Sequence, residues 1–246
     1  MKINMFSSAH RPAKASRQGG FTLIELLVVI AIISILAAFA VPALTSALKK
    51  GQMTGTMNNA RQLYIAQFQM SNDGAATGDA GSAWPGDLIA ATLLAPVTLN
   101  AYTDYLVAKG YLQGGDVLKL LNAPGSSLTG TYAAGPPATM TFTGGSAALK
   151  VYPVLDADPV SAIFCVTNNY VYDTAIVTGA VPYGTNGFIV VHKGGDAAIF
   201  KEGQAVDAPP QWPDDITFQT TVGFKTGDTY GGVPTAGEPA NVLTYP

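Results

Sequence analysis

The 246 residues of this chain leave room for one substantial domain or two small ones. Hydrophobic residues make up 48% and charged residues 12% of the chain, which is enough apolar material for a packed core and excludes a disordered protein. The net charge is −3 although the first 20 residues hold four cations and no acid, so the remainder is the more acidic part. Nucleic-acid binding is therefore disfavoured.

A membrane-length apolar segment follows this basic start. Residues 21–41 contain a single charged side chain, Glu25. A helix of that length covers roughly 30 Å, the thickness of a bilayer's hydrocarbon core. The excess of Lys and Arg on its N-terminal side predicts a cytoplasmic start and an exported body. A secretory signal peptide cut after Ala38–Ala40, or an ordinary signal anchor, stays open, although the run exceeds an h-region of about 7–15 residues.

Glu25 is the unusual residue of this segment. A charge at the centre of an inserting helix costs roughly 2.5–3.5 kcal/mol, so an intramembrane carboxylate suggests a function and a partner. If the chain is cut after Gly20, the new amine of Phe21 is cationic at neutral pH. This amine can pair with Glu25 of a neighbouring copy and set the register between the two helices. The alternative is a side chain that reaches back to the headgroups.

The segment from Gly20 to Glu25 (Gly-Phe-Thr-Leu-Ile-Glu), with the apolar run after it, resembles the prepilin signature of type IV pilins and type II secretion pseudopilins. The resemblance implies cleavage after Gly20 by a prepilin peptidase, N-methylation of Phe21 and an assembly role for Glu25. It also implies a helix-softening role for Pro42. The implied partners are that peptidase and methyltransferase, copies of the chain or related subunits, and an inner-membrane assembly platform.

The predicted fold is α+β, with a long N-terminal helix packed on a C-terminal antiparallel β-sheet in the lollipop shape of pilins. Residues 1–20 are the expected leader, 21–43 the transmembrane and filament-core helix, 44–72 an amphipathic helix, and 73–246 an exported globular domain. The face expected to dock on the sheet is a stripe of five residues at helical spacing. These are Met53, Met57, Ala60, Tyr64 and Phe68.

Two features modulate this helix. Gly51 and Gly55 lower helix propensity by up to about 1 kcal/mol each and predict a flexible joint near the membrane surface. The sequence Asn-Asp-Gly at 72–74 predicts the end of the helix. Short helices are then expected at 102–112 and 117–121.

From Ser126 onward the pattern changes to period two with β-branched residues, which predicts strands. The candidates are Ala138–Thr143, Ala147–Tyr152, Ala162–Thr167, Tyr170–Val177, Gly187–His192, Ala197–Lys201 and Ile216–Val222. The four residues from Lys193 to Asp196 predict a hairpin turn between the fifth and sixth candidates.

Few residues of the chain are candidates for a catalytic role. His192 is the only imidazole after the leader and Cys165 is the only thiol of the chain. A nucleophilic Cys–His pair is conceivable, but both residues lie in apolar runs without a supporting motif. No phosphate-binding loop is present, and Cys and His are too few for a zinc site. The chain is predicted not to be an enzyme.

No cofactor is predicted. Calcium is the one metal considered, because Asp207, Asp214 and Asp215 fall in a C-terminal loop and carboxylate oxygens suit Ca²⁺. Their spacing matches no calcium motif, and a solvated acidic loop is the competing interpretation.

The predicted function is that of a structural subunit of a type IV pilus-like or type II secretion pseudopilus filament. The lone cysteine favours a pseudopilin, since many type IV pilins close a C-terminal loop with a disulfide. The predicted location is the bacterial inner membrane, then a periplasmic or cell-surface filament. The alternative is a membrane-anchored or secreted periplasmic binding protein with no filament role.

Overall fold

The computed structural model describes residues 20–245, so the predicted leader before Gly20 lies outside the described residues. The fold is α+β, as predicted, with a long N-terminal helix and antiparallel sheets. The chain divides into two compact units, residues up to Ser46 and residues from Ala47 onward. The first helix, α1, begins in the first unit and ends in the second.

Helix α1 spans Leu23–Thr77 and packs on the body along its second half. The buried stripe consists of Met53, Thr56, Ala60, Leu63, Ala66, Gln67, Met70 and Gly74. This corrects the predicted stripe in part, because Phe68 is 47% exposed and Met57 and Tyr64 are only half-buried. Gln67 replaces the aromatic side chain in the interior, where its amide donates to the Ala83 carbonyl (2.9 Å) and accepts from the Tyr102 hydroxyl (2.8 Å).

The second correction concerns the end of α1. The helix passes through the predicted stop and ends at Thr77. Gly74 is helical, and the backbone of Ser82 packs directly against it at a distance that only a residue without a side chain allows. The glycine that signals a helix end in the sequence is therefore a packing residue.

Four short helices belong to the body. Helices α2 (Pro85–Ala90), α3 (Leu99–Ala108) and α4 (Gly114–Leu121) follow α1 in chain order, and α5 (Asp215–Thr221) lies near the C-terminus. The positions of α3 and α4 agree with the two predicted short helices.

Two antiparallel sheets complete the body. Strands β1 (Thr129–Ala133) and β2 (Thr139–Gly144) form a hairpin. The main sheet has the order β3-β4-β5-β6, and its strands span Leu149–Val151, Ile163–Thr167, Phe188–His192 and Ala197–Phe200. Strands β5 and β6 meet in the predicted turn, where the His192 amide donates to the Asp196 carbonyl (2.9 Å).

The main sheet is a middle layer. Every residue of β4 and β5 is buried. On one side Phe164 packs edge-to-face with Tyr64 of α1, with ring centroids 5.8 Å apart. On the other side Ile163 lies against Gly223, just after α5. Neighbouring residues of a strand point to opposite faces, so α1 and the C-terminal segment cover the two sides.

Two predicted strands are wrong and one was missed. Residues Tyr170–Val177 form turns, because Tyr170 and Tyr172 are buried anchors whose hydroxyls donate to the carbonyls of Ala205 and Gly223, both at 3.1 Å. The β-branched segment predicted at Ile216–Val222 is α5, whose first turn is capped by Asp214. Strand β1 is additional to the candidates.

Candidate functional site

The first unit is an apolar helix whose side chains all face outward. Every described residue from Gly20 to Ser46 is exposed, and Phe21 is 84% exposed. Among the described residues α1 is the one helix long and apolar enough to cross a membrane. Its most apolar 18-residue window has a mean hydropathy of 2.9 and no buried residue. Among residues 20–46 this surface has no partner, and it needs lipid or protein to cover it.

Thr22 and Glu25 hold the start of this helix. The Thr22 amide and hydroxyl both donate to Glu25 Oε2, at 2.8 and 2.7 Å. The Glu25 amide donates in return to Thr22 Oγ1 at 3.3 Å. This reciprocal pair is a capping box, which satisfies donors that the first turn of a helix otherwise leaves free. The carboxylate also lies at the positive end of the helix dipole.

Thr22 is the functional residue that the sequence-based prediction missed. The signal is present in the chain, because Thr22 and Glu25 have the Thr-x-x-Glu spacing of a capping box at the start of an apolar run. In the membrane the arrangement matters more than in water. It supplies two hydrogen bonds to a carboxylate that would otherwise lose its solvation.

Pro42 lies inside α1, and the helix continues through it. Proline has no amide hydrogen, so the carbonyl one turn before it, that of Ala38, loses its helical partner. The Thr45 hydroxyl donates to the Pro42 carbonyl at 2.9 Å. The helix thus has one point of lower stability within its apolar half.

Cys165 and His192 do not form a catalytic pair. Cys165 is fully buried, and burial raises the pKa of its thiol well above the ordinary value, which opposes formation of a nucleophilic thiolate. His192 is bound elsewhere: Nδ1 contacts Asp196 Oδ2 at 2.5 Å and Nε2 contacts the Val222 carbonyl at 3.1 Å. Within residues 20–245 no hydrogen bond joins the cysteine and the histidine. Both side chains belong to the core.

The candidate calcium residues are close together but differ in role. The Asp207 amide donates to Asp173 Oδ1 at 2.7 Å, and burial, with Asp215 and Asp173 nearby, raises the pKa of Asp207 to about 6. Asp214 caps α5 by accepting from the Thr217 amide at 2.7 Å. In the described part of the chain no group of three or more His, Cys, Asp or Glu residues could hold a metal ion. Calcium binding by Asp207, Asp214 and Asp215 stays a prediction.

The C-terminal segment is held by buried lysines. Lys150, 3% exposed, contacts both the Tyr170 carbonyl and the Glu238 carboxylate. Lys225, 6% exposed, contacts the Thr235 carbonyl. The Lys150 contact joins the C-terminal segment to β3 of the main sheet, and the Lys225 contact joins two parts of that segment to each other.

Residues 15–41 match the family model described as the prokaryotic N-terminal methylation motif. The chain carries this methylation motif. The matched residues include the capping box and most of the exposed apolar helix.

Curated relatives are fimbrial proteins. The chain is 35% identical to fimbrial protein EcpC of Eikenella corrodens over 108 residues, 44% of this chain and 65% of that protein. It is 39% identical to a type IV major fimbrial protein FimA of Dichelobacter nodosus over 71 residues, 29% of this chain and 46% of that protein. A second FimA is 40% identical over 85 residues, 32% of this chain and 53% of that protein. The matches therefore span about half the length of these relatives, and no solved structure matches significantly.

Proposed function

We propose that the protein is a structural subunit of a type IV pilus-like or type II secretion pseudopilus filament. A prepilin peptidase would cut it after Gly20 and Phe21 would be N-methylated. The observation that carries the proposal is the exposed apolar half of α1, with its single carboxylate at Glu25, inside the matched methylation motif. Before assembly the subunit would be inserted in the bacterial inner membrane with its body in the periplasm. It would then enter a periplasmic or cell-surface filament.

The exposed apolar half suits two environments in succession. Side chains from Leu23 to Val41 are covered by lipid acyl chains while the helix spans the bilayer. Packing against equivalent helices of other subunits keeps the same surface out of water after extraction from the membrane. The partners are thus copies of this chain or related subunits, brought together by an inner-membrane assembly platform.

One oxygen of the Glu25 carboxylate accepts hydrogen bonds within the described residues, and the other accepts none. Both bonds from Thr22 reach Oε2, and within the described residues none reaches Oε1. After cleavage, the cationic amine of Phe21 on a neighbouring subunit could bind at Oε1. Such a pair would satisfy both charges in a low-dielectric filament core and align the two helices axially.

The choice between pilus and pseudopilus rests on two opposed observations. The relatives are named as fimbrial proteins, which favours a pilus. The chain has a single cysteine, Cys165, so it cannot form a disulfide within its C-terminal region. This favours a pseudopilin. We propose the pilus-like filament first, because a buried lysine contact between Lys150 and Glu238 can hold the C-terminal segment in place of a disulfide. The role is structural rather than catalytic.

Mass spectrometry of the N-terminal peptide from native membranes tests the processing step. An N-methylated Phe21 is the expected result. A mature start near Val41 would indicate a cleaved signal peptide, and an intact Met1 would indicate a simple anchor. Either of these two results contradicts the proposal. Gly20→Val should leave the uncut form in the membrane.

Glu25→Ala tests assembly. This variant should insert and be cut normally, yet be absent from sheared filaments. Glu202→Ala removes an exposed carboxylate of the body and is the matched control, expected to assemble like the wild type. Wild-type amounts of Glu25→Ala in filaments would contradict the pairing of Glu25 with the amine of Phe21.

A further inference from the structure

A loop of the body carries exposed apolar residues without any charge. Residues 177–187, which precede β5, contain no charged side chain. Val177 is 70% and Val181 is 39% exposed. We propose that this loop, with Lys49 and Lys50 of α1, rests on the phospholipid surface of the membrane in which α1 is anchored. The inference rests on the membrane insertion in the proposed function and adds a lipid-contacting surface on the body.

The loop is attached to α1 near the start of its packed half. Lys49 Nζ donates to Asn186 Oδ1 at 3.2 Å. The Tyr183 hydroxyl donates to the Gln52 carbonyl at 3.2 Å and lies 2.6 Å from the Thr56 hydroxyl. These contacts attach the loop to residues 49–56 of α1. The loop therefore lies wherever this part of the helix lies.

Asn169, two residues after β4, also binds the loop. The Asn169 side-chain amide donates to the carbonyls of Gly184 and Gly187, both at 2.9 Å. Pro182 is buried, which leaves Val181 beside it exposed on a fixed backbone. The two exposed valines are therefore presented by a supported turn.

The chain places this stretch at the membrane boundary. Leu44 and Leu48 are 60% and 57% exposed and extend the apolar surface up to Lys49. From Leu23 to Leu48, α1 is roughly 39 Å long, close to the thickness of a whole bilayer of about 40–45 Å with its headgroups. Lys49 and Lys50 then fall among the outer headgroups, where each lysine near anionic lipid contributes about 1 kcal/mol.

The direction in which β5 runs along α1 agrees with this placement of the loop. Gly187, at the start of β5, lies against Met53 of α1. The hairpin after β5 lies further along the helix, where the Tyr64 hydroxyl donates to the Lys193 carbonyl at 3.0 Å. The loop is thus at the end of the body nearest in sequence to the membrane span, and the hairpin is roughly 15 Å beyond it.

Two further charges of opposite sign lie near this end of the body. Lys201, directly after β6, is exposed and adds a third cation, while Glu202 beside it is the acidic neighbour. Tyrosine and lysine are typical of residues at a bilayer interface, and the exposed valines add apolar area beside them.

Fluorescence of labelled full-length protein in lipid nanodiscs tests the inference. In a Cys165→Ala background, an environment-sensitive dye is attached to Val181→Cys. The same dye on Val160→Cys is the matched control, because Val160 is 73% exposed and lines a cavity with Phe68 and Lys193 far along α1. Ala37→Cys, within the apolar span, reports insertion. The quencher is a nitroxide lipid present at the same fraction in every disc, with the nitroxide on the headgroup for positions 181 and 160 and in the middle of the acyl chain for position 37.

We expect roughly twofold or stronger quenching, with a blue-shifted emission, at positions 181 and 37 but not at 160. Quenching at 37 with none at 181 would overturn the inference and leave the insertion of α1 intact. Absence of quenching at 37 would contradict the membrane insertion on which both proposals depend. A blue shift at 181 without lipid quenching would mean that a second copy covers the loop, which also overturns the inference.

The lysines are tested separately. The double substitution of Lys49→Gln and Lys50→Gln should reduce quenching at position 181 in phosphatidylglycerol discs more than in phosphatidylcholine discs. The dye at position 37 should be unaffected in both lipids. Equal quenching at 181 before and after the double substitution, in both lipids, would contradict the role of the two lysines.

Discussion

Gly74 and Gly55 lie in the same helix, yet alanine should have opposite effects at the two positions. Helix propensity alone predicts that either substitution stabilises the protein by about 0.5–1 kcal/mol. The surroundings differ. A Cβ at Gly55 would have no atom within 4 Å, whereas one at Gly74 would lie 1.7 Å from the Ser82 carbonyl oxygen.

The cost at Gly74 follows from what must move. The obstruction is backbone, so the turn containing Ser82 has to shift rather than a flexible side chain. Two hydrogen bonds hold that turn. The Ser82 amide donates to the Asp79 carbonyl and the Ser82 hydroxyl donates to Asp79 Oδ2, both at 2.9 Å. Overpacking costs about 1–3 kcal/mol and each lost hydrogen bond about 1 kcal/mol. After subtraction of the propensity gain, Gly74→Ala should lower the free energy of unfolding by about 1–3 kcal/mol.

Urea unfolding of the full-length protein in detergent micelles measures this difference. Trp84 is 5% exposed and follows Ser82 by two residues, so its fluorescence reports both the global transition and a local shift of the turn. Gly55→Ala should unfold at a higher urea concentration than the wild type. Gly51→Ala, also in open space, repeats the control.

The opposite sign for the two glycines is the decisive result. Stabilisation by Gly74→Ala equal to that by Gly55→Ala would refute the close approach of Ser82 to the helix. Destabilisation at both positions would refute the use of helix propensity for the exposed face of α1.

Three further predictions concern buried and clustered groups. Glu238→Gln should lower the free energy of unfolding by about 2 kcal/mol, because Lys150 stays buried without its anion, and replacing both residues by Met should restore most of it in urea unfolding. Burial and its acidic neighbours raise the pKa of Asp207 to about 6, so the stability it contributes is complete below about pH 4 and is lost as the pH rises through 6. The Tm gain of Asp207→Asn should therefore be larger at pH 7 than at pH 4, and an equal gain would contradict the shift. Cys165 should react with a thiol reagent only at the rate of unfolding, and rapid labelling of the native protein would contradict its burial.

The sequence by itself determined the features that depend on neighbouring residues. The apolar run after Gly20 predicts the exposed half of α1, because the length and hydropathy of a segment do not depend on contacts with distant residues. The Thr-x-x-Glu spacing at Thr22 likewise contains the signal for the capping box, because both partners lie within one helical turn. Period-two patterns located β4 and β5, and the four-residue turn from Lys193 to Asp196 joins β5 to β6. Each signal acts over about four residues, or repeats with the period of its element.

Only the tertiary structure decided the features that depend on distant contacts. The buried face of α1 includes Gln67 rather than Phe68, because Tyr102 and Ala83 supply partners for the amide. The β-branched segment of α5 is helical because burial and its cap outweigh a weak local preference for strand. Burial against another part of the chain exceeds such local preferences in free energy, and a sequence pattern does not show which parts will meet.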